Sequence, residues 1–328
     1  MRKNLIPQIS QKIEKVLERE KLKPKISPQE FIKKTKGKKH RYFSCCLTEK
    51  KKRLFFYARI QNNKDAKRKV RKEAIFANFL LKKTFRKKLP FSPFLPRYYK
   101  GKIEKDFEWF EREFIKEGPL GNNELLEKKI NKKEVLKTVD FLFSLKRTNL
   151  SLLKNIPLGK FPLKHYEDIT HLLLSLKEKN VVSEKEYLRG KDFIRKYFPL
   201  FRKEHSYLSH GDFNLGNIIF TKEKLKVIDW ESMEINNFAY DLSYLITHLW
   251  QEKKRRRKEF IRNYYLKLPK RQKETFTILL RGNIIYLTVN GIFARPKEIK
   301  KSLLLKRKNF FQKLLKSSLE NFEKILTI

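Results

Sequence analysis

Cysteine, methionine, tryptophan and glycine are scarce in this chain, at 2, 2, 3 and 10 of 328 residues. The two cysteines, Cys45 and Cys46, are adjacent in "RYFSCCLTE". Neighbours on a strand point to opposite faces, which excludes a mutual disulfide or a shared metal and leaves reduced packing residues. No run approaches the roughly 20 apolar residues that span a bilayer. The N-terminal "MRKNLIPQISQKIEKVLEREK" is a charged amphipathic helix pattern without the apolar core of a secretory signal. These absences predict a soluble, cytoplasmic protein with no membrane span. Negative charge is scarce too: 36 Asp and Glu face 80 Lys and Arg, a formal net charge of +44.

What is present can build a core. Hydrophobic residues make up 40%, with 27 Phe and 13 Tyr, which excludes a disordered tail protein. The length suits one large domain or two modest ones sharing a cleft. The positive charge invites a nucleic-acid partner, but its distribution argues otherwise. Residues 51–100 carry 17 Lys or Arg and residues 251–300 carry 15, whereas residues 201–250 carry 5 against 7 acidic residues. No nucleic-acid motif accompanies the charge, so it reads as compositional bias and no nucleic acid is expected. The sequence carries no signature of an oligomeric state.

After the N-terminal helix, "EFIKKTK", "RYFSCCLTE" and "RLFFYARIQ" read as three strands of a meander. "DAKRKVRKEAIFANFLLKK" has Val70, Ala74, Ala77 and Leu81 at helical spacing. Two more strands follow, "RYYKGKIEK" and "FEWFEREFIK", and then the Gly-Pro-Gly cluster of "EGPLGNN" marks a boundary. Beyond it the pattern is helical, interrupted by one hairpin, "NIIF" and "LKVIDW" around "TKEK". The expected division is a β-rich lobe, 1–117, and a mainly helical lobe, 118–328.

The chemistry gathers around that hairpin. "HGDFNLGNIIF" holds Asp212, with Asn217 five residues on, and "VIDWE" brings Asp229 at the end of the second strand. A hairpin sets Asn217 and Asp229 at matching strand ends, where amide and carboxylate oxygens suit Mg²⁺. Asp212, on the preceding loop, would orient or deprotonate an attacking hydroxyl. This is the D-x-x-x-x-N loop followed by a metal-binding Asp used in kinase phosphoryl transfer.

With "VIDWE" and "YDLSYL" added, the chain resembles the aminoglycoside phosphotransferase and choline kinase group of protein-kinase-like enzymes. The resemblance runs from about Phe31 onward and is strongest from His210 to Leu245. It implies an α+β, two-lobed kinase-like fold, with a small antiparallel sheet and a larger helical lobe. It also implies Mg²⁺-dependent transfer of the γ-phosphoryl group of ATP or GTP to a hydroxyl of a small-molecule acceptor. Asp212 matches the catalytic base and Asn217 and Asp229 the metal ligands. Asp241 in "YDLSY" matches an aspartate at a helix start that braces the loop, a position where Asp also suits an N-cap. Glu231 matches a position often acidic.

Arg59 in "FFYAR" stands where kinases place a phosphate-binding lysine, and Glu73 matches its ion-pair partner. The backbone around Glu113, Phe114 and Ile115 matches the segment that holds the purine. The glycine-rich phosphate loop is absent, with Gly37 alone in "KTKGKKHRY". Gly211, where switched kinases carry an Arg, implies no activation by phosphorylation. The family's acceptors include amino alcohols, sugars and aminoglycosides.

Other readings stand beside these. His210 with Asp212 and His205 or His248 is a poor zinc set, and His210 reads as a loop-holding residue. The run from Lys253 in "KKRRRKEF" reads as a solvated helix face, with anion or membrane-surface contact as the alternative. Phe311, Leu315, Phe322 and Leu326 suggest one C-terminal packing helix. A second class of function is a weakly catalytic, kinase-like protein that binds nucleotide or nucleic acid.

Overall fold

The structure is a computed structural model that describes residues 5–35, 41–60, 64–104, 107–122, 125–222, 224–294 and 301–326. The chain forms two compact units, each described separately. The first comprises Met1–Lys116 with Ser151–Pro157 and Asp229–Ser232; the second comprises Glu117–Leu150, Leu158–Ile228 and Met233–Ile328.

The first unit contains α1 (Leu5–Arg19), β1 (Leu22–Pro24), α2 (Pro28–Thr35), β2 (Arg41–Thr48), β3 (Arg53–Ile60), α3 (Lys64–Leu81), α4 (Lys83–Lys88), β4 (Tyr98–Ile103) and β5 (Phe107–Glu113). Its five strands pair antiparallel in the order β1-β2-β3-β5-β4. Strand alternation gives the sheet two faces. On one, Tyr42, Cys46, Phe56, Ala58 and Trp109 are buried with Ile13, Val16 and Leu17 of α1. Those three helical positions form one stripe, and each buried apolar side chain contributes roughly 1.5–3 kcal/mol. Cys45 is half-buried and Cys46 buried, both free.

On the other face α3 packs against β4, close enough that a side chain at Gly101 would meet the Ala74 carbonyl at 2.9 Å. Phe76 of α3 and Phe91 both pack on Trp230, with ring centroids 5.3 and 5.1 Å away. The short segment 229–232 is thereby held within this unit. "EFIKKTK" is not a strand: most of it lies in α2, and the Ser27 hydroxyl caps that helix by accepting from Glu30 N at 3.1 Å. Gly37 lies outside the described residues.

The second unit contains α5 (Lys132–Lys146), β6 (Gly159–Lys160), α6 (Lys164–Glu178), α7 (Glu184–Lys203), β7 (Tyr207–Ser209), β8 (Ile218–Phe220), β9 (Leu225–Val227), β10 (Glu234–Asn236), α8 (Tyr240–His248), α9 (Lys254–Lys267), α10 (Lys270–Phe293), α11 (Lys301–Glu320) and α12 (Phe322–Ile325). Asn131 with Glu134 and Ser183 with Glu186 form capping boxes that start α5 and α7. Strands β6, β10 and β7 make a small sheet, and β8 with β9 the hairpin. A buried polar cluster ties α6 and α10 to the loop after β10. Tyr166 donates to Asn283 Oδ1 at 2.5 Å, and the Asn237 and Asn283 amides donate to each other at 3.1 and 2.9 Å.

Helix α10 is long and apolar enough to cross a bilayer by length and composition, a property the shorter apolar runs did not announce. Half of its most apolar stretch is buried inside the protein, including Leu279, Leu280, Ile284 and Ile285. The basic run starting α9 is only partly solvated. Arg257 is half-buried and donates to the carbonyls of Leu249 and Glu252, and Arg256 pairs with Glu259. The C-terminal pattern is two helices. Asn321 breaks it by capping α12 at Lys324 N, so Phe311 and Leu315 are buried while Phe322 and Leu326 are only partly so.

Candidate active site

In the second unit, β7 ends at Ser209 and the chain turns sharply through Gly211, whose φ of 78° suits glycine. This turn is held by Asp241, the second residue of α8. Asp241 Oδ1 accepts from Ser209 Oγ at 2.9 Å and Gly211 N at 3.1 Å, and Oδ2 accepts from His210 N at 2.9 Å. Asp241 is therefore not an N-cap: Ala239 holds that position without a side-chain bond, and the Asp241 carboxylate is spent on the loop. Burial raises its pKa, with these donors opposing the rise.

His210 is fully buried, and Nε2 donates to the Ile228 carbonyl at 3.0 Å. Burial lowers its pKa, which keeps the ring neutral and ties the loop to the end of β9. The other candidate zinc histidines are likewise bound to carbonyls, His205 to Ile235 and His248 to Tyr244. Among the described residues, no group of three or more His, Cys, Asp or Glu is placed to hold a metal.

Asp212 follows the turn, and its carboxylate is fixed by three side chains. Oδ1 accepts from Asn214 Nδ2 and from Tyr244 Oη, each at 2.9 Å. Asn217 Nδ2 donates to the Asp212 carbonyl at 2.8 Å and to Oδ2 at 3.3 Å. Asn217 is buried, and with its nitrogen so engaged its Oδ1 has no donor among the described residues. In the hairpin, Ile218 pairs with Val227, and Ile228 N donates to the Asn217 carbonyl at 3.0 Å. Asp212 and Asn217 are thus brought together, as their spacing suggested. Asn214 and Tyr244 escaped the sequence reading, although Tyr244, three residues after Asp241, falls on the same helix face.

The first unit holds the remaining candidates. Asp229 has a φ of 65°, a left-handed conformation that Asp tolerates better than most residues. Arg59 on β3 pairs with Glu231 at 2.5 Å, both side chains 12% exposed. The expected Arg59–Glu73 ion pair is not formed. Glu73 accepts from the Tyr98 hydroxyl at 3.2 Å, and the positive charge acting on it is that of buried Arg112. Burial drives the Glu73 carboxyl well above the usual carboxylate range, with Asp229 and Glu231 adding to the rise. The reason is geometric: Glu73 lies on the side of α3 facing β4 and β5, where Tyr98 and Arg112 reside.

At the end of β5, Glu113 N donates to Arg97 O at 2.8 Å and its carbonyl accepts from Arg112 at 3.3 Å. The backbone groups of Phe114 and Ile115 form no hydrogen bond among the described residues. Open donors and acceptors on an extended segment are what a heterocycle edge can pair with.

The phosphotransferase enzyme family model, APH, matches residues 47–273. The chain belongs to this family of enzymes, which carry out kinase-type phosphotransfer. Solved structures similar to it share the protein-kinase-like fold. The GDP complex of aminoglycoside 2'-phosphotransferase-IIIa is 12% identical, with a TM-score of 0.52, covering 82% of this chain and 89% of that one. The streptomycin–ATP–APH(2")-IIa ternary complex is 14% identical, with a TM-score of 0.50, covering 98% and 99%. The macrolide 2'-phosphotransferase MphH from Brachybacterium faecium is 9% identical, with a TM-score of 0.52, covering 95% and 98%. No curated protein sequence matches the chain.

Proposed function

We propose that this enzyme transfers the γ-phosphoryl group of ATP or GTP to a hydroxyl of a small molecule, an amino alcohol, a sugar or an aminoglycoside-like acceptor. The observation that carries the reading is the carboxylate of Asp212, anchored by three donors on a loop that Asp241 braces. The acceptor O–H bond breaks as its proton passes to Asp212. The freed oxygen bonds the γ-phosphorus, and the bridging P–O bond breaks to release nucleoside diphosphate. Such chemistry is mostly placement and charge neutralisation. The nucleotides named with similar structures, GDP and ATP, support the donor class.

Asn217 and Asp229 are assigned to hold Mg²⁺. The donor set fits: an amide oxygen with no donor among the described residues and a carboxylate are hard oxygen ligands. Held by these two side chains, Mg²⁺ would supply charge neutralisation for the phosphate oxygens. Arg59, its fork held by Glu231, is assigned to the phosphates, and Phe114 and Ile115 to the purine edge. A planar guanidinium grips two oxygens at once where a lysine would offer a point charge.

Asp212→Ala should lower turnover by roughly 10²–10⁴-fold, while calorimetry still detects nucleotide binding. Near-normal turnover in that variant would overturn the assignment. Asp229→Ala should instead weaken Mg²⁺-nucleotide binding, and unchanged affinity would remove it from the metal site.

A further inference from the structure

Asp212 has two carboxylate oxygens, and only one can lie toward an acceptor. Oδ1 is occupied twice, by Asn214 Nδ2 and Tyr244 Oη, each at 2.9 Å. Among the described residues Oδ2 receives a single long contact, 3.3 Å from Asn217 Nδ2, whose shorter bond of 2.8 Å goes to the Asp212 carbonyl. We propose that Tyr244 is a positioning residue that blocks Oδ1 and so makes Oδ2 the proton-accepting atom. The inference rests on the phosphotransfer reading above and deepens it.

The rest of the Tyr244 side chain is held without its hydroxyl. Its ring stacks on His248 at 4.5 Å and 18°, contacts Tyr240 at 6.1 Å, and its carbonyl accepts from His248 Nδ1 at 2.8 Å. These neighbours lie on α8, the helix whose second residue, Asp241, braces the loop. One short helix therefore fixes both the backbone of the loop and the rotation of its carboxylate. Without the phenol, Oδ1 keeps only the Asn214 amide, which is on the same loop and moves with it. The carboxylate can then turn about its Cβ–Cγ bond, and the acceptor meets Oδ2 in a fraction of its encounters.

The test uses Mg²⁺-dependent nucleotide hydrolysis by the full chain, with water as the acceptor and phosphate release as readout. Its atoms balance as before: a water proton goes to Oδ2, and the water oxygen joins the γ-phosphorus as nucleoside diphosphate leaves. Tyr244→Phe should lower kcat by roughly 10–100-fold, the scale of a hydrogen bond to a charged group, with nucleotide KM unchanged. In an Asp212→Asn background the same substitution should cost nothing further, because the group it positions is gone. Equal losses from Tyr244→Phe in both backgrounds would show a merely structural role and overturn the inference. So would wild-type kcat in Tyr244→Phe alongside a loss in Asp212→Asn. Wild-type hydrolysis that is absent, or untouched by Asp212→Asn, would instead overturn the phosphotransfer reading and the inference with it.

Discussion

At the scale of single residues, the site depends on groups that cannot be removed singly without leaving a partner bare. Asp241→Ala strips the acceptor from His210 N–H and from Ser209 Oγ, and leaves Gly211 N–H with Ser209 Oγ alone. Unsatisfied buried donors cost roughly 1–3 kcal/mol each, so thermal denaturation should show a Tm drop of several degrees and turnover should fall with it; an unchanged Tm would refute the bracing role. His210 gives a pH prediction. Its folded-state pKa is depressed below the ordinary 6.5 by burial, so the unfolded chain takes up the proton first as pH falls. Its contribution is complete above about 6.5 and lost below. The Tm advantage of the wild type over His210→Gln should shrink between pH 7.5 and 5, and a constant difference would contradict a neutral buried ring. The spacing of Asp212 and Asn217 was legible because a local loop and hairpin set it. The pairing of Arg59 with Glu231, 172 residues apart, was not, and the family pattern pointed to Glu73 instead.

At the scale of elements, periodicity revealed α3, the helices of the second unit and the β8–β9 hairpin, since long amphipathic stretches and a tight turn are local signals. Helix α2 was misread as a strand because two apolar residues among lysines carry no clear period. Its real signature, Ser27 as cap, Pro28 at the first position and Glu30 in the first turn, precedes the run taken as a strand. The break at Asn321 was similarly overlooked within a continuous apolar pattern. Helix contacts also yield a packing prediction. A side chain at Gly282 of α10 would collide with the Phe201 ring of α7, whereas one at Gly118 meets only the Lys128 Nζ at 3.6 Å. Gly282→Ala should lose roughly 1–3 kcal/mol in urea unfolding, with Gly118→Ala near neutral; equal stability of the two variants would refute the close helix contact.

At the scale of the whole molecule, a net charge of +44 on 328 residues sets a background of self-repulsion. Screening should relieve it, so Tm should rise between roughly 50 and 300 mM monovalent salt; a falling Tm would show that ion pairs such as Arg255–Glu259 and Lys267–Asp140 outweigh the repulsion. The first stretch of the first unit ends at Lys116, beside the Gly-Pro-Gly cluster. That residues 229–232 and 151–157 pack into the first unit was not legible in the sequence, because it depends on contacts such as Phe76 with Trp230 across more than a hundred residues. The central claim is phosphoryl transfer to a small hydroxyl through Asp212. The most direct measurement is nucleotide consumption by the wild type and Asp212→Ala across amino alcohols, sugars and aminoglycosides, with ³¹P NMR following the phosphoryl group. At least one acceptor should gain a phosphoester in step with nucleoside diphosphate release, and both rates should fall by roughly 10²–10⁴-fold in Asp212→Ala. Phosphoester formation at a near-normal rate in that variant, or none with any acceptor, would contradict the claim.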